Sequence, residues 1–182
     1  MPRLRSWVRD PSPAPIDASK KGDLYIMKIM DFLSKRAVAV DLKAQGKEDV
    51  IRELAGLLIK AGELKPRSKE DVVKALLDRE ILGSTGIGQG IGIPHAKSAN
   101  VKKLVGAVGI SQKGVDFDSL DGEPAYIFFL LLAPQESAGP HLKALARISR
   151  LLKDKYFRDL LKNTKSEKEL INVISKEDQN KH

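Results

Sequence analysis

Residues 125–134, AYIFFLLLAP, form the longest apolar run of the chain and decide its fold class. The run is ten residues long, which is about half of the roughly 20 that a membrane-spanning helix needs. It therefore predicts no direct membrane insertion. An apolar run of this length is typical of a strand that is buried on both faces, and a sheet built around such a strand needs helices on either side.

The segments around this run supply the remaining layers. KLVGAVGIS at residues 103–111 predicts a strand, and a polar turn with Asp116, Asp118, Asp121 and Gly122 connects it to the apolar run. AVAVDL at residues 37–42 alternates as a further strand does. Residues 47–62 predict a helix with Val50, Ile51, Leu54, Leu58 and Ala61 on one face.

Capping signals predict the other helices. The hydroxyl of Ser68 is expected to cap a second helix, and Pro140 is expected at the first position of a helix that ends near residue 153. Ser166 and Glu169 form a capping box at the start of the last helix. The mixed order of strands and helices predicts an α/β fold, a three-layer α/β/α sandwich with a mixed sheet.

The amino-acid composition limits the possible domain organisation and the possible classes of function. Residues 1–24 contain four of the nine prolines and no periodicity, which predicts a disordered extension. MKIMDFL from Met27 looks like a natural N-terminus, so the other explanation for residues 1–24 is a start codon assigned too far upstream. Residues 25–182 are then one domain. The absence of cysteine excludes disulfides and thiol chemistry and favours a cytoplasmic protein.

The net charge of +8 raises the question of a nucleic-acid partner. Acidic and basic side chains alternate along the chain, however, and aromatic residues make up only 5%. This pattern is typical of solvated helix faces, and no nucleic-acid partner is predicted.

The glycine-rich segment STGIGQGIGIPHAK, residues 84–97, carries the chemistry. A dinucleotide fingerprint fails because Ile91 occupies the third glycine position after Gly86 and Gly88. A P-loop fails because no Gly-Lys-Ser/Thr follows. Backbone N–H groups of such a segment can still surround an anion, since glycines let the main chain approach a ligand.

His95 closes this segment and is a candidate nucleophile, because imidazole is largely neutral near pH 7. A lone histidine is more often an ordinary surface or core residue. Of the three histidines, His95 in IPHAK and His141 in GPHLK occupy similar contexts. Metal binding by this pair would need further ligands, and no H-x-x-H or H-E-x-x-H spacing is present. Neither a metal nor a cofactor is predicted.

Residues 80–96, EILGSTGIGQGIGIPHA, resemble the active-site signature of the fructose/mannitol/nitrogen-type enzyme IIA domains of the bacterial phosphoenolpyruvate-dependent phosphotransferase system. The resemblance continues through GVDFDSLDGEPAYIFFLLLAP and HLKALARISRLL and covers about residues 27–178. Gly92 departs from it, because the family usually has alanine there. We expect the missing methyl group to alter local stiffness more than chemistry, and the glycines to give a flexible, uncluttered backbone.

The resemblance implies that His95 accepts a phosphoryl group, through Nε2, from the phosphohistidine of the carrier protein HPr and passes it to an enzyme IIB domain. It implies that Arg79 binds phosphate oxygens and that His141 is the second active-site histidine. Thr85 and Ser84 are weaker candidates for hydroxyl donors to the phosphate. The alternative for Arg79 is a surface ion pair with Glu80 or Asp78.

Two functions follow from the resemblance. The first is phosphoryl transfer in sugar uptake, with the enzyme IIB and membrane components as separate proteins. The second is a nitrogen-type regulatory protein, in which the phosphorylation state of His95 controls binding to target proteins. Several basic residues are interpreted as solvated surface, or as a rim around His95 that selects a protein partner: Lys97, Lys143, Arg147 and Arg150.

Overall fold

The computed structural model describes residues 26–181, so the interpretations of residues 1–24 lie outside the described part. The strands are β1 (Leu33–Ala39), β2 (Gly86–Gly88), β3 (Ile91–Gly92), β4 (His95–Lys97), β5 (Val105–Val115) and β6 (Ala125–Ala133). The α-helices are α1 (Lys47–Lys60), α2 (Lys69–Ile81), α3 (Ala138–Leu152), α4 (Lys155–Asn163) and α5 (Glu167–Asn180). Short 3₁₀ turns at Ile29–Asp31 and Pro66–Ser68 precede β1 and α2.

The central strand of the sheet is β6, as its apolar sequence predicts. The strand order is β1-β5-β6-β3-β2, and β4 also pairs with β6. Strand β6 runs antiparallel to β5 but parallel to β3 and β4, and β1 runs parallel to β5. Every residue of β6 except Tyr126 is buried. The sheet is therefore mixed, and its middle strand is covered on both faces.

Two apolar cores lie on opposite faces of this sheet. Phe128 and Leu130 of β6 pack with the apolar residues of α1 and α2. Ile127 and Phe129 pack instead with those of α3, α4 and α5. This alternation follows from the two-residue period of a strand. It confirms the three-layer α/β/α sandwich.

The alternating pattern predicts the first strand at residues 37–42, but the strand begins and ends earlier in the chain. It begins at the buried Leu33, which pairs with Gly106 of β5. The stretch from Ser34 to Arg36 is polar, which hides the first half of the strand in the sequence. The alternation of residues 37–42 thus marks the end of a strand.

Ser68 is the N-cap of α2, as predicted, but the expected capping hydrogen bond is absent, and the predicted position of Pro140 is wrong. Ser68 has helical backbone angles at the end of the preceding 3₁₀ turn and makes no capping hydrogen bond. Pro140 is the third residue of α3, which begins at Ala138. The capping box of α5 is confirmed in part: Ser166 Oγ accepts a hydrogen bond from the N–H of Glu169 at 3.2 Å. The Glu169 carboxylate accepts from the N–H of Lys165, one residue before the cap.

The basic residues of α3 do not form one solvated face. Lys143 and Arg150 are exposed, but Arg147 is only 5% exposed. Its Nε donates to Asp178 Oδ1 of α5 at 2.9 Å, and its Nη2 donates to the Asp178 carbonyl oxygen at 2.6 Å. Because the acidic partner is distant in the sequence, local charge patterning could not distinguish this buried arginine from its solvated neighbours.

Candidate active site

The glycine-rich segment forms a tight hairpin at the edge of the sheet. Strands β2 and β3 pair antiparallel, and β3 joins β6. Gln89 and Gly90 make the turn between them with φ angles of 57° and 78°. This left-handed conformation favours glycine, which explains Gly90. The segment is thus ordered strand and turn, with His95 at the start of the next strand.

Two glycines of the hairpin are required by close packing. A Cβ atom on Gly92 would lie 2.8 Å from Cδ1 of Phe128, and one on Gly86 would lie 2.9 Å from Cα of Ser119. The expectation of an uncluttered backbone is wrong at these positions. The Phe128 ring occupies the space that a methyl group at residue 92 would need, so the departure from alanine has a steric reason.

His95 follows the buried Pro94 and is itself half-buried. Its Nδ1 lies 2.7 Å from the carbonyl oxygen of Ile93. Because a carbonyl oxygen only accepts hydrogen bonds, Nδ1 carries the proton of the neutral ring. The lone pair that remains available for reaction is on Nε2. This contact fixes both the tautomer and the orientation of the imidazole.

Burial lowers the pKa of His95 below its ordinary value of 6.5, although the hydrogen bond to Ile93 acts in the opposite direction. The nearby positive charge of Arg79 lowers it further. The imidazole is therefore neutral at pH 7. A neutral imidazole is the form that can act as a nucleophile.

His141 lies in the first turn of α3 and is only 8% exposed. Its ring meets that of His95 edge-on, with centroids 5.6 Å apart. Burial lowers the pKa of His141, and the neighbouring His95 and Lys97 lower it further. Within residues 26–181 its Nε2 is buried without a hydrogen-bond partner. A buried polar atom without a partner is suited to bind a ligand that enters the site.

Arg79 lies in the last turn of α2, where its Nη1 donates to the carbonyl oxygen of Gly83 at 3.0 Å. It forms no ion pair within the described part of the chain, so the alternative surface pairing is not observed. Asp78 pairs with Lys74 at 2.6 Å, and Glu80 pairs with Lys47 at 3.2 Å. The guanidinium keeps N–H groups that can bind an anion.

The structure brings Arg79, His95 and His141 together in one open groove of about 400 Å³. We call it the histidine groove. Its lining residues are Ala75, Asp78, Arg79, Leu82, His95, Ala96, Lys97, His141, Leu142 and Leu145. Leu82 and Leu142 are 83% and 68% exposed at its rim. Cationic, reactive and apolar side chains thus share one surface.

Ser84 and Thr85 do not line this groove. Ser84 Oγ donates to the carbonyl oxygen of Phe117 at 2.9 Å. The buried hydroxyl of Thr85 donates to the carboxylate of Glu80. Both hydroxyls therefore have partners inside the protein, and their role as phosphate donors stays a prediction.

Sequence reasoning placed Glu80 in the signature but missed its buried partners, Thr85 and Lys47. Glu80 is a buried carboxylate of α2, and Lys47 bridges it to Asp118, with a distance of 2.9 Å between Lys47 Nζ and Asp118 Oδ2. A further signal in the sequence is that Glu80 is an acidic residue in the last turn of a helix, where the helix dipole disfavours it. Such a residue needs another partner.

The described residues contain no group of three histidine, cysteine or acidic side chains placed to hold a metal ion. No helix among residues 26–181 is long and apolar enough to span a membrane.

The comparison with known families agrees with this geometry. The family model of the phosphoenolpyruvate-dependent sugar phosphotransferase system, EIIA 2, matches residues 31–177. The chain belongs to this EIIA family. The matched region includes every side chain of the histidine groove.

The relatives of this chain include sugar-specific EIIA components and nitrogen regulatory proteins. The chain is 41% identical over 152 residues to the fructose-specific EIIABC component of Bacillus subtilis, covering 84% of this chain but only 24% of that protein. It is 38% identical over 149 residues to a nitrogen regulatory protein of Bradyrhizobium diazoefficiens, covering 82% of this chain and 95% of that protein. The crystal structure of the nitrogen regulatory protein IIA-Ntr from Neisseria meningitidis has a TM-score of 0.73 at 34% identity and covers 80% of this chain and 98% of that one.

Proposed function

We propose that this EIIA domain carries a phosphoryl group on Nε2 of His95, taken from phospho-HPr and passed to an enzyme IIB component in the cytoplasm. The contact between His95 Nδ1 and the Ile93 carbonyl oxygen, at 2.7 Å, carries this proposal. It leaves Nε2 as the ring nitrogen with a free lone pair. The family membership supplies the reaction class.

The transfer step exchanges one nitrogen–phosphorus bond for another. The lone pair of His95 Nε2 attacks the phosphorus of the donor phosphohistidine, and the donor's nitrogen–phosphorus bond breaks. The departing imidazole keeps that electron pair. The proton on His95 Nδ1 remains in its hydrogen bond to Ile93. Because bonds of the same kind are made and broken, catalysis depends mainly on alignment and charge stabilisation.

The groove supplies that charge stabilisation. Arg79 and Lys97 line it with His95, and the unpartnered Nε2 of the buried His141 lies on the neighbouring helix. The first turn of α3 adds the positive end of its helix dipole. In this proposal, Arg79 and His141 bind the phosphoryl oxygens while they pass between the two proteins.

The rim of the groove is suited to a protein donor. Leu82 and Leu142 are exposed apolar side chains. Lys97 is an exposed cation that lines the groove, and Lys143 is an exposed cation next to Leu142 in the sequence. An apolar contact surrounded by charge is typical of an interface that forms and separates repeatedly. HPr and enzyme IIB would use this same surface in turn.

A regulatory role is the second candidate. The nitrogen regulatory relative from Bradyrhizobium is matched over 95% of its length, whereas the sugar-specific component from Bacillus is matched over 24%. Phosphorylation adds about two negative charges. On His95 these charges would change the surface that target proteins contact.

The phosphocarrier proposal can be tested with phosphoenolpyruvate, enzyme I, HPr and the purified protein. We expect one acid-labile, base-stable phosphate per chain, which is absent in His95→Gln and slower to form in His141→Gln. Label that persists in folded His95→Gln would overturn the proposal. Candidate enzyme IIB proteins are then added to the labelled protein: transfer to one of them supports the transport role, and transfer to none supports the regulatory role.

A further inference from the structure

We propose that Glu80 is a positioning residue that fixes the tautomer and orientation of His95 through Thr85 and Ile93. Three consecutive contacts connect the Glu80 carboxylate with the His95 ring. The consequence for phosphoryl transfer rests on the function proposed above. The effect on the His95 tautomer can be measured in the free protein.

The first contact fixes Thr85 to the end of α2. The N–H of Thr85 donates to the Glu80 carboxylate at 3.1 Å, and the Thr85 hydroxyl donates to the same group. The Glu80 side chain is only 4% exposed. A buried carboxylate is costly unless all its oxygens have partners, so this arrangement holds Thr85 in one place.

The second and third contacts reach the nucleophile. The carbonyl oxygen of Thr85 accepts the N–H of Ile93 at 2.9 Å. The carbonyl oxygen of Ile93 is the group that lies 2.7 Å from Nδ1 of His95. Glu80 is therefore connected to the ring through two backbone groups, and its negative charge also acts directly on His95 by raising the pKa of that ring against the effect of burial. Glu80 does not line the histidine groove itself.

Lys47 holds the other side of the Glu80 carboxylate. Its Nζ lies 3.2 Å from Glu80 and 2.9 Å from Asp118, and it also lies above the ring of Phe117 at 5.0 Å. Burial lowers the pKa of Lys47, but the hydrogen bonds to Asp118 and Glu80 outweigh burial, and the net shift is upward. Lys47 is therefore a cation at neutral pH, and it lies beside the buried Glu80 carboxylate.

Loss of this connection has a specific chemical consequence. If Ile93 shifts, the hydrogen bond to Nδ1 weakens and the ring proton can move to Nε2. A ring protonated on Nε2 cannot attack phosphorus with that nitrogen. The substrate surface is unchanged, so the rate of transfer should fall while binding of the donor protein is retained.

The experiment compares Glu80→Gln with Asp118→Asn, which removes the other, 76% exposed, partner of Lys47. The ¹⁵N chemical shifts of the His95 ring report its tautomer in the unphosphorylated protein. We expect the Nδ1–H tautomer in the wild type and in Asp118→Asn, and a mixture of both tautomers in Glu80→Gln. Because the ring also loses its fixed orientation toward phosphorus, we expect kcat for phosphorylation by HPr to fall roughly tenfold to a hundredfold in Glu80→Gln, with KM within about twofold.

Thr85 variants keep the proposal testable if Glu80→Gln does not fold. Thr85→Val removes the hydroxyl and should shift the tautomer in the same direction, whereas Thr85→Ser should restore it. A wild-type tautomer in folded Glu80→Gln or in Thr85→Val would overturn the proposal. A shifted tautomer together with phosphate that persists in His95→Gln would support the positioning role and refute the phosphocarrier function.

Discussion

The imidazole rings of His95 and His141 meet edge to face, with centroids 5.6 Å apart and planes inclined by 74°. Burial lowers the pKa of both, and the proximity of His95 further lowers that of His141. Two neighbouring imidazoles in one groove cannot both be charged cheaply. The pair is therefore neutral at pH 7, and in the proposed transfer this leaves one ring free to react and the other to receive the dianion.

The lowered pKa of His95 predicts how phosphorylation depends on pH. Protonation removes the nucleophilic lone pair, so activity falls as the pH decreases through the folded pKa. Because that pKa lies below the ordinary 6.5, the acidic midpoint of the phosphorylation rate should lie below pH 6.5. Single-turnover measurements with phospho-HPr as a stoichiometric donor check this, provided that HPr alone is titrated as the control. A midpoint above 6.5 would contradict the assignment.

Replacement of Gly92 by alanine should destabilise the protein. The new Cβ would lie 2.8 Å from two carbons of the Phe128 ring, and overpacking of this kind costs about 1–3 kcal/mol. Urea unfolding measures the loss. Gly139→Ala is the matched control, because Gly139 lies in α3 with nothing within 4 Å of its added Cβ. That change should be neutral or stabilise by up to about 1 kcal/mol.

The double variant Gly92→Ala with Phe128→Leu tests the cause of that loss. Removal of the Phe128 ring should recover part of the stability that Gly92→Ala loses. The effects of the two substitutions on the free energy of unfolding should therefore not be additive. Additive effects would show that the ring does not limit residue 92.

The buried pair of Arg147 and Asp178 predicts a large effect from a single truncation. Asp178→Ala leaves the guanidinium buried without its carboxylate partner and removes the acceptor for the N–H of Met30. We expect the free energy of unfolding to fall by about 3–5 kcal/mol. Asp159→Ala breaks exposed pairs with Lys155 and Lys162 and should cost far less, because solvent screens exposed ion pairs. Equal effects of the two variants would contradict a buried ion pair.

Because exposed leucines lie at the rim of the histidine groove, a charged residue in place of one of them should weaken binding of a protein donor. Leu142→Glu should weaken the apparent affinity for phospho-HPr about tenfold or more, since a rim leucine would lose its apolar contact. Thermal stability should change little, because Leu142 is 68% exposed. Tyr156→Glu is the control, because Tyr156 is 70% exposed on α4 and does not line the groove. An unchanged KM in Leu142→Glu would place the donor elsewhere.

The sequence predicts those features of this fold that depend on local periodicity. The apolar run of β6 and the amphipathic pattern of α1 are long enough to reveal a covered sheet and a surface helix. The start of β1 was hidden because the stretch from Ser34 to Arg36 is polar. Short strands β2, β3 and β4 have too few residues for any period to show.

Residues of the candidate site could be predicted only where they belong to a recognisable sequence motif. The family signature led to Arg79, His95 and His141, which the structure brings into one groove. The partners of Thr85 and Arg147 could not be inferred, because hydrogen bonding inside a protein depends on residues that meet only after folding. Thr85 meets a buried glutamate across the end of a helix, and Arg147 meets Asp178 of another helix.

The packed hairpin before His95 has a consequence for how this protein tolerates change. Gly86 and Gly92 do not line the histidine groove and have no side chain, yet each lacks space for a single carbon. A survey of all single substitutions should therefore find the most intolerant positions among chemically inert residues as well as at the nucleophile. Variation at residue 92 should then occur as a paired exchange, in which a smaller side chain at residue 128 accompanies a larger one at residue 92.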